Sequence, residues 1–346
     1  MIELFIIDLS TSNSYELPYL SISISEELNV GKDCRLSLDF YAIEELCNSY
    51  NTDPLFLLTS GIRQVQIKKD NVAIFLGVVT DFNVSEDNSG GRKIDIYATG
   101  LFNLLAKRRT GAKRVFSSVD AGDIAWTLID ESQTSDPPYS DFGITQGLIT
   151  TSVNRDRTFR FANLKDEITQ MSNKNLKNGF DFDIDNLGNF NVFYPTKGSQ
   201  RPNLVLDDQN IVTWGVRKPL IMSLVNKVYV LGTGFNDDVL YVIRQSINAY
   251  KNTFKLLEEV LSARDIITTE TLDDKGDKLL TEFQAPILGL TINHLDTDIN
   301  ILDYEVGDSL RVKLMPIGID DEFKRIYKRT IKIDTNQQVV VQLDLK

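Results

Sequence analysis

Two-residue alternation is the feature that most restricts the folds open to this chain. In Arg35-Leu-Ser-Leu-Asp-Phe-Tyr, the residues Leu36, Leu38 and Phe40 fall on one side of an extended backbone, because successive strand side chains point to opposite faces. Val65 and Ile67 repeat the pattern, Lys69-Asp-Asn71 turns the chain, and Ala73 to Phe82 follows as a further strand. Past the turn-forming cluster Glu86-Asp-Asn-Ser-Gly-Gly91, alternation resumes at Ile94, Ile96 and Ala98. Gly100 then stops it, and Leu101, Leu104 and Leu105 start a short helical turn. The spacing predicts an antiparallel meander closing near residue 110.

The middle of the chain changes period. Asp120 is placed to cap a helix, since its carboxylate can accept the unpaired amide hydrogens of a first turn. Ile124, Leu128 and Ile129 would share one face of that helix, with Trp126 to the side. The stretch from Gln133 to Gly147 is rich in Ser, Pro and Gly and reads as a loop or boundary. After Asn163, Leu164, Ile168 and Met171 predict a second helix. A hairpin follows: Phe180-Asp-Phe-Asp-Ile-Asp, the turn Asn186-Leu-Gly-Asn189, then Phe190-Asn-Val-Phe-Tyr.

From Trp214 strands return, at 224–231 and 239–246. A helix is expected from Asn248 on the spacing of Tyr250, Phe254, Leu257 and Leu261, and an exposed loop at Asp273-Asp-Lys-Gly-Asp277. Tyr304 to Leu314 and Arg329 to Leu345 close the chain as strand, turn and strand. The organisation expected is a first strand-rich domain at 1–110, an α+β region at 111–213 with a break near 135–158, and a second strand-rich domain at 214–346 carrying a helical insertion near 248–280. No tandem repeat of 20–50 residues is visible.

Composition excludes several classes. Of 346 residues, 42% are hydrophobic and 25% charged, as in globular chains. The longest apolar runs fall well short of the roughly 20 residues that cross a bilayer, and the N-terminus lacks the pattern of a signal peptide. We therefore expect a soluble chain made in the cytosol, without membrane insertion. With 37 Lys and Arg against 49 Asp and Glu, the net charge of −12 opposes a tight non-specific grip on nucleic acid, although an acidic wall lets DNA slide past. Cys34 and Cys47 form no Cys-x-x-Cys and read as free thiols.

Catalytic and metal motifs are sparse. A single histidine rules out any two-histidine metal site, and His294 reads as an ordinary surface or turn residue. The alternating Asp181, Asp183 and Asp185 resemble a calcium loop. Asn186 stands where such a loop needs Gly, however, and Val192 where it needs a bidentate Glu. The stretch is better read as a hairpin with Phe180, Phe182 and Ile184 inward and the aspartates outward. Gly232-Thr-Gly234 lacks the third glycine of a dinucleotide fingerprint, and no Gly-Lys-Ser/Thr occurs. No catalytic, cofactor-binding or metal-binding residue is assigned. The basic cluster Lys107, Arg108, Arg109, Lys113 and Arg114 stands out in an acidic chain: it is either an inter-subunit contact or a solvated helix end whose cations complement the dipole.

Several stretches together resemble one family. Phe75-Leu-Gly77-Val-Val-Thr-Asp-Phe, followed by Ile94-Asp-Ile-Tyr-Ala-Thr-Gly100 and the Leu-rich turn ending in Arg, is similar to the baseplate or tail-tip hub family of tailed bacteriophages. So are the helix and hairpin from Leu164 to Tyr194, Asp207-Asp-Gln-Asn-Ile-Val leading to Leu224-Val-Asn-Lys-Val-Tyr-Val-Leu-Gly232, and Tyr304-Glu-Val-Gly-Asp-Ser-Leu-Arg-Val. The resemblance covers most of the chain and extends to hubs of contractile tails and the N-terminal region of tail-associated proteins in non-contractile ones. It implies a mainly β chain in which two tail-tube-like antiparallel β-barrel domains flank a smaller mixed α+β region. Three copies would form a homotrimeric ring of pseudo-sixfold symmetry in the virion, at the tail tip or baseplate. That ring would join the tail tube and distal tail proteins to a spike, fibre or tape-measure protein, and genomic DNA would pass its channel without specific binding. The resemblance implies no cofactor and no enzymatic role. Because the chain ends at Lys346 directly after a strand, wall-degrading or receptor-binding work is expected of another protein. The other readings are a cell-wall hydrolase using an Asp/Glu pair and a host-surface carbohydrate-binding module; against the latter, the 18 Phe and 12 Tyr sit mainly at core-facing positions.

Overall fold

Strands that bury every second residue dominate this computed structural model, which describes residues 1–9, 11–50, 53, 58–59, 61, 63–86, 90–137, 140–172, 179–217, 224–234, 238–247, 255–263, 266–284 and 289–346. The N-terminal strands are β1 (Ile2–Asp8), β2 (Ser14–Glu16), β3 (Ser21–Glu27) and β4 (Gly31–Asp39); α1 (Phe40–Tyr50) precedes β5 (Arg63–Lys69), β6 (Val72–Glu86) and β7 (Arg92–Gly100). The short α2 (Leu101–Leu104) and a 3₁₀ turn end this part. The middle holds β8 (Arg114–Asp120), α3 (Ala121–Thr134), β9 (Thr145–Gln146), β10 (Asn154–Phe159), α4 (Leu164–Ser172), β11 (Asp181–Ile184) and β12 (Asn189–Phe193). The C-terminal part holds β13 (Gln200–Leu206), β14 (Ile211–Arg217), β15 (Lys227–Leu231), β16 (Tyr241–Gln245), β17 (Glu258–Ser262), α5 (Thr269–Phe283), β18 (Gly289–Leu295), β19 (Ser309–Leu314), β20 (Ile319–Asp334) and β21 (Val339–Leu345).

The fold is mainly β and centres, among the described residues, on a 13-stranded sheet, in which β13 runs parallel to β19 while β20 runs antiparallel to β3, β19 and β21. Both strand-rich ends of the chain supply it. The N-terminal strands lie in the order β3-β4-β7-β6-β5-β1, and the C-terminal ones in the order β14-β18-β21-β20-β19-β13. These two runs match in both spatial and chain order. They also share a defect: the ladder slips by one residue between Val79 and Asp81 in β6, and between Ile326 and Lys328 in β20. A bulge recurring at the same place in the same topology marks an internal duplication. The runs meet where β3 pairs antiparallel with β20, setting Ile22 opposite Ile333 and Ile24 opposite Ile331.

Chain packing separates two units, one of residues 1–172, 180–214 and 292–345, the other of 173–179, 215–291 and 346. The first contains the long sheet and the α+β middle. There Asp120 caps α3 as expected, accepting from Gly122 N at 2.8 Å and binding the Thr151 and Ser152 amides as well. Ile124, Leu128, Ile129, Leu164, Ile168, Met171, Phe180, Phe182 and Phe190 form one core. A Cβ on Gly122 would lie 1.6 Å from the Ile149 carbonyl oxygen. Gly122→Ala should therefore cost about 1–3 kcal/mol, the usual range for overpacking. Urea unfolding would measure this, and a change within about 0.5 kcal/mol would contradict it.

In the second unit, β15 pairs with β16 antiparallel and with β17 parallel, and Val228, Val230, Leu272 and Leu280 pack into its core. Two expectations are corrected here. Leu261 lies in strand β17, not in a helix begun at Asn248, because Val228 and Val230 of β15 offer it a ladder and an apolar face; residues 248–254 lie outside the described residues. The segment Asp273-Asp-Lys-Gly-Asp277 is not a loop but the centre of α5. Leu272, Leu280 and the partly buried Phe283 hold that helix, and Gly276 fits where a Cβ would meet Arg244 Cγ at 2.5 Å and Val230. Helix α1 was missed, although Ile43 and Cys47 sit four apart and both are buried. It claims Phe40, which therefore leaves the strand pattern of Leu36 and Leu38.

Candidate assembly interface

A row of charges crosses the junction of the two strand runs. On the buried face of β3, Ile22 and Ile24 are followed at the next inward position by Glu26. Its cross-strand neighbours are Arg329 on β20 and Lys32 on β4. Glu26 accepts from Arg329 Nη2 at 2.8 Å and pairs with Lys32 Nζ at 3.3 Å. Arg329 Nη1 also donates to the Ile301 and Tyr304 carbonyls at 2.9 and 2.8 Å, and its guanidinium lies over the Tyr304 ring. Burial alone would raise the Glu26 pKa, but Lys32 and Arg329 together outweigh it and hold the carboxyl far below its usual range.

Beside this row lies a second set of ion pairs, and it corrects the expected hairpin. Phe180, Phe182 and Ile184 do point into the core, but the aspartates between them do not point to solvent. Asp181 is fully buried and accepts from Asn29 Nδ2 and Lys197 N, both at 2.8 Å, and from Arg325 Nη2 at 2.5 Å. Asp183 pairs with the Lys197 ammonium, whose proton Asp183 and Glu26 hold in place against the opposing effect of burial. Asp185 caps the hairpin turn through the Leu187 and Asn189 amides. Among the described residues no three His, Cys, Asp or Glu side chains converge as a metal site. The hairpin is flanked on both faces: phenylalanines meet the helices, and aspartates meet cations from β20 and from the segment before β13.

His294 is likewise buried rather than at the surface. Its Nε2 lies 2.8 Å from Tyr304 Oη and its Nδ1 3.0 Å from the Leu295 carbonyl, and burial pushes its pKa below the usual range. It occupies the inward slot of β18 after Leu290 and Ile292. Cys34 and Cys47 are buried and free.

The basic cluster divides. Arg108 donates to the Ser132 carbonyl and to Ser135 Oγ and stacks on Phe142. Arg114 pairs with Glu131 at 2.7 Å and lies over Phe116. Arg109 is exposed and bonds the neighbouring Ala106 and Arg108 carbonyls. Lys107 and Lys113 are exposed. The structure thus places two of the five within the α+β core's rim and three at the surface.

No family model matches this sequence. No curated protein matches it either. Its fold, however, is found in solved structures. A 43 kDa tail protein of prophage MuSo2 from Shewanella oneidensis superposes with a TM-score of 0.71 at 11% identity, covering 100% of this chain and 98% of that one. A tail protein from Neisseria meningitidis MC58 gives 0.70 at 12% identity, with 100% and 96% covered. Prophage tail protein gp18 from Listeria monocytogenes EGD-e gives 0.59 at 14% identity, with 99% and 94% covered. From end to end, and with almost nothing of those chains left over, this polypeptide has the fold of these tail proteins.

Proposed function

We propose that this chain is a structural hub of a bacteriophage tail tip or baseplate. Three copies form a ring of pseudo-sixfold symmetry that connects the tail tube to the distal tip or spike and surrounds the DNA channel. The observation that carries the reading is the duplication: one chain presents two strand runs of identical order with a bulge at the same place. Three such chains offer six equivalent modules to a sixfold tube above. The end-to-end likeness in fold to these tail proteins supports the same reading. On this reading residues 1–110 carry one barrel module and strands β13, β14 and β18 to β21, within 200–217 and 289–345, carry the other, which therefore begins before residue 214; the α+β stretch between the modules lies at the periphery, and Lys107, Arg109 and Lys113 are the members of the basic cluster available to a neighbouring subunit.

Its partners are the tail tube and distal tail proteins and a spike, fibre or tape-measure protein, with DNA passing an acidic wall. No enzymatic role is proposed. Glu26 is held ionised by two cations and so is not poised as the proton donor of a hydrolase. Light scattering on the purified chain should give three times the 39.2 kDa chain mass, and negative-stain images should show a threefold ring. A monomer at every concentration up to the solubility limit would overturn the proposal.

A further inference from the structure

The junction inside the chain contains the plan of the junction between chains. One edge of β20 carries β21. The other carries β19 along residues 319–325 and then β3 along 328–334, end to end. Its counterpart β6 carries β7 on one edge and β5 along 72–78 on the other, and among the described residues no strand continues that second edge along Asp81–Glu86. The strand that would fill this gap by analogy is the counterpart of β3, which is β14. Among the described residues β14 is the terminal strand of the sheet, paired on one side by β18.

We infer that the Ile211–Trp214 stretch of β14 in one copy pairs antiparallel with the Asp81–Glu86 stretch of β6 in the next, repeating between chains what β3 and β20 do within one. The inference rests on the ring reading and says which edges close it. The occupant is a second copy of this chain, because the two open edges are the two halves of a junction the chain already makes once. Such a contact is head-to-tail, and head-to-tail contacts generate closed rings when the rotation permits.

The exposed side chains agree. Matching the bulges puts Val84 where Ile331 stands in β20. Val84 lies opposite buried Ile94 of β7 yet is 39% exposed, and among the described residues no strand pairs with its other side. On β14, Val212 and Trp214 share one face and are 56% and 40% exposed. Pairing the edges would set one of these apolar side chains beside Val84, as Ile24 lies beside Ile331. It would also cover two open edges that otherwise template aggregation.

The test is oxidative cross-linking of two double variants, Val84→Cys with Val212→Cys and Val84→Cys with Trp214→Cys, which sample the two inward positions of β14. Copper–phenanthroline should convert one of them to covalent dimer and trimer on denaturing gels. The single variants and the wild type, whose two cysteines are buried, should stay monomeric on those gels. Amide exchange on the wild-type chain gives a second reading: the amides of 81–86 and 211–214 should slow at least tenfold in the trimer relative to dilute monomer. A trimer by light scattering without cross-linking in either variant and without that protection overturns the edge pairing and leaves the ring standing. A monomer throughout overturns both.

Discussion

Replacing Glu26 by glutamine should lower the free energy of unfolding at neutral pH by about 3–5 kcal/mol, the cost of removing one partner from a buried ion pair. Arg329 and Lys32 would keep their charges in a site with little water, and only the carbonyls of Ile301 and Tyr304 would still receive Arg329. The loss should depend on pH in a defined direction. In the folded chain the Glu26 carboxyl titrates far below its ordinary 4.5, so as acid is added the unfolded chain takes up the proton first. The stability contributed by the pair is complete above about pH 5 and declines as pH falls toward the folded carboxyl's own range. Urea unfolding at pH 7 and pH 4 should therefore show the gap between wild type and Glu26→Gln narrowing at the lower pH. A gap unchanged between the two, or smaller than about 1 kcal/mol at pH 7, would mean that the pair is not stabilising. A double variant, Glu26→Leu with Arg329→Met, should recover part of the loss. Recovery stays incomplete because two buried carbonyls are left without a donor.

The reason this charged row escaped the sequence reading is instructive. In Ser21-Ile-Ser-Ile-Ser-Glu-Glu, Glu26 continues the inward slots of Ile22 and Ile24, and Arg329 begins the slots continued by Ile331 and Ile333. Alternation shows which side a residue faces and not which strand stands beside it. The pairing of residue 26 with residue 329 is a tertiary fact. The same limit hid the duplication. The two runs share strand order and bulge position, yet Asp81-Phe-Asn-Val-Ser in β6 matches Lys328-Arg-Thr-Ile-Lys in β20 only in its register, so no repeat could be read from letters. Local signals fared best where the chemistry is local. The turn at Asp70 and Asn71 adopts the left-handed backbone that hairpin turns demand, and Asp120 caps its helix. The expected element, a helix in one case and a loop in the other, gave way where partners decide. The stretch Glu258-Glu-Val-Leu-Ser became a strand beside β15, and the polar segment around Gly276 became helix because leucines on either side of it are buried.

The hairpin of β11 and β12 should respond to substitution on both of its faces. Phe182 is 2% exposed, with its ring 4.6 Å from that of Phe102 and 6.1 Å from that of Phe190. Phe182→Ala should cost about 3–5 kcal/mol, since the rigid neighbours on β12 and α2 cannot close the cavity. On the other face, Asp181→Ala removes the carboxylate partner of Arg325 and strands the Asn29 amide and the Lys197 N–H; a loss of about 3–5 kcal/mol is expected there too. The two are not independent. Asn29 donates to Asp181 and accepts from the Phe182 backbone N–H at 2.9 Å, so one side chain clamps both positions from the β3–β4 turn. A double-mutant cycle should therefore show a coupling of about 0.5 kcal/mol or more, where faces without a shared partner would simply add. This clamp ties the α+β stretch to the sheet at the point where β3 enters the junction with β20. Strict additivity, or an Asp181→Ala variant as stable as wild type, would show that the α+β stretch is held by its apolar core alone and that the ion pairs beneath the hairpin do not fasten it to the sheet.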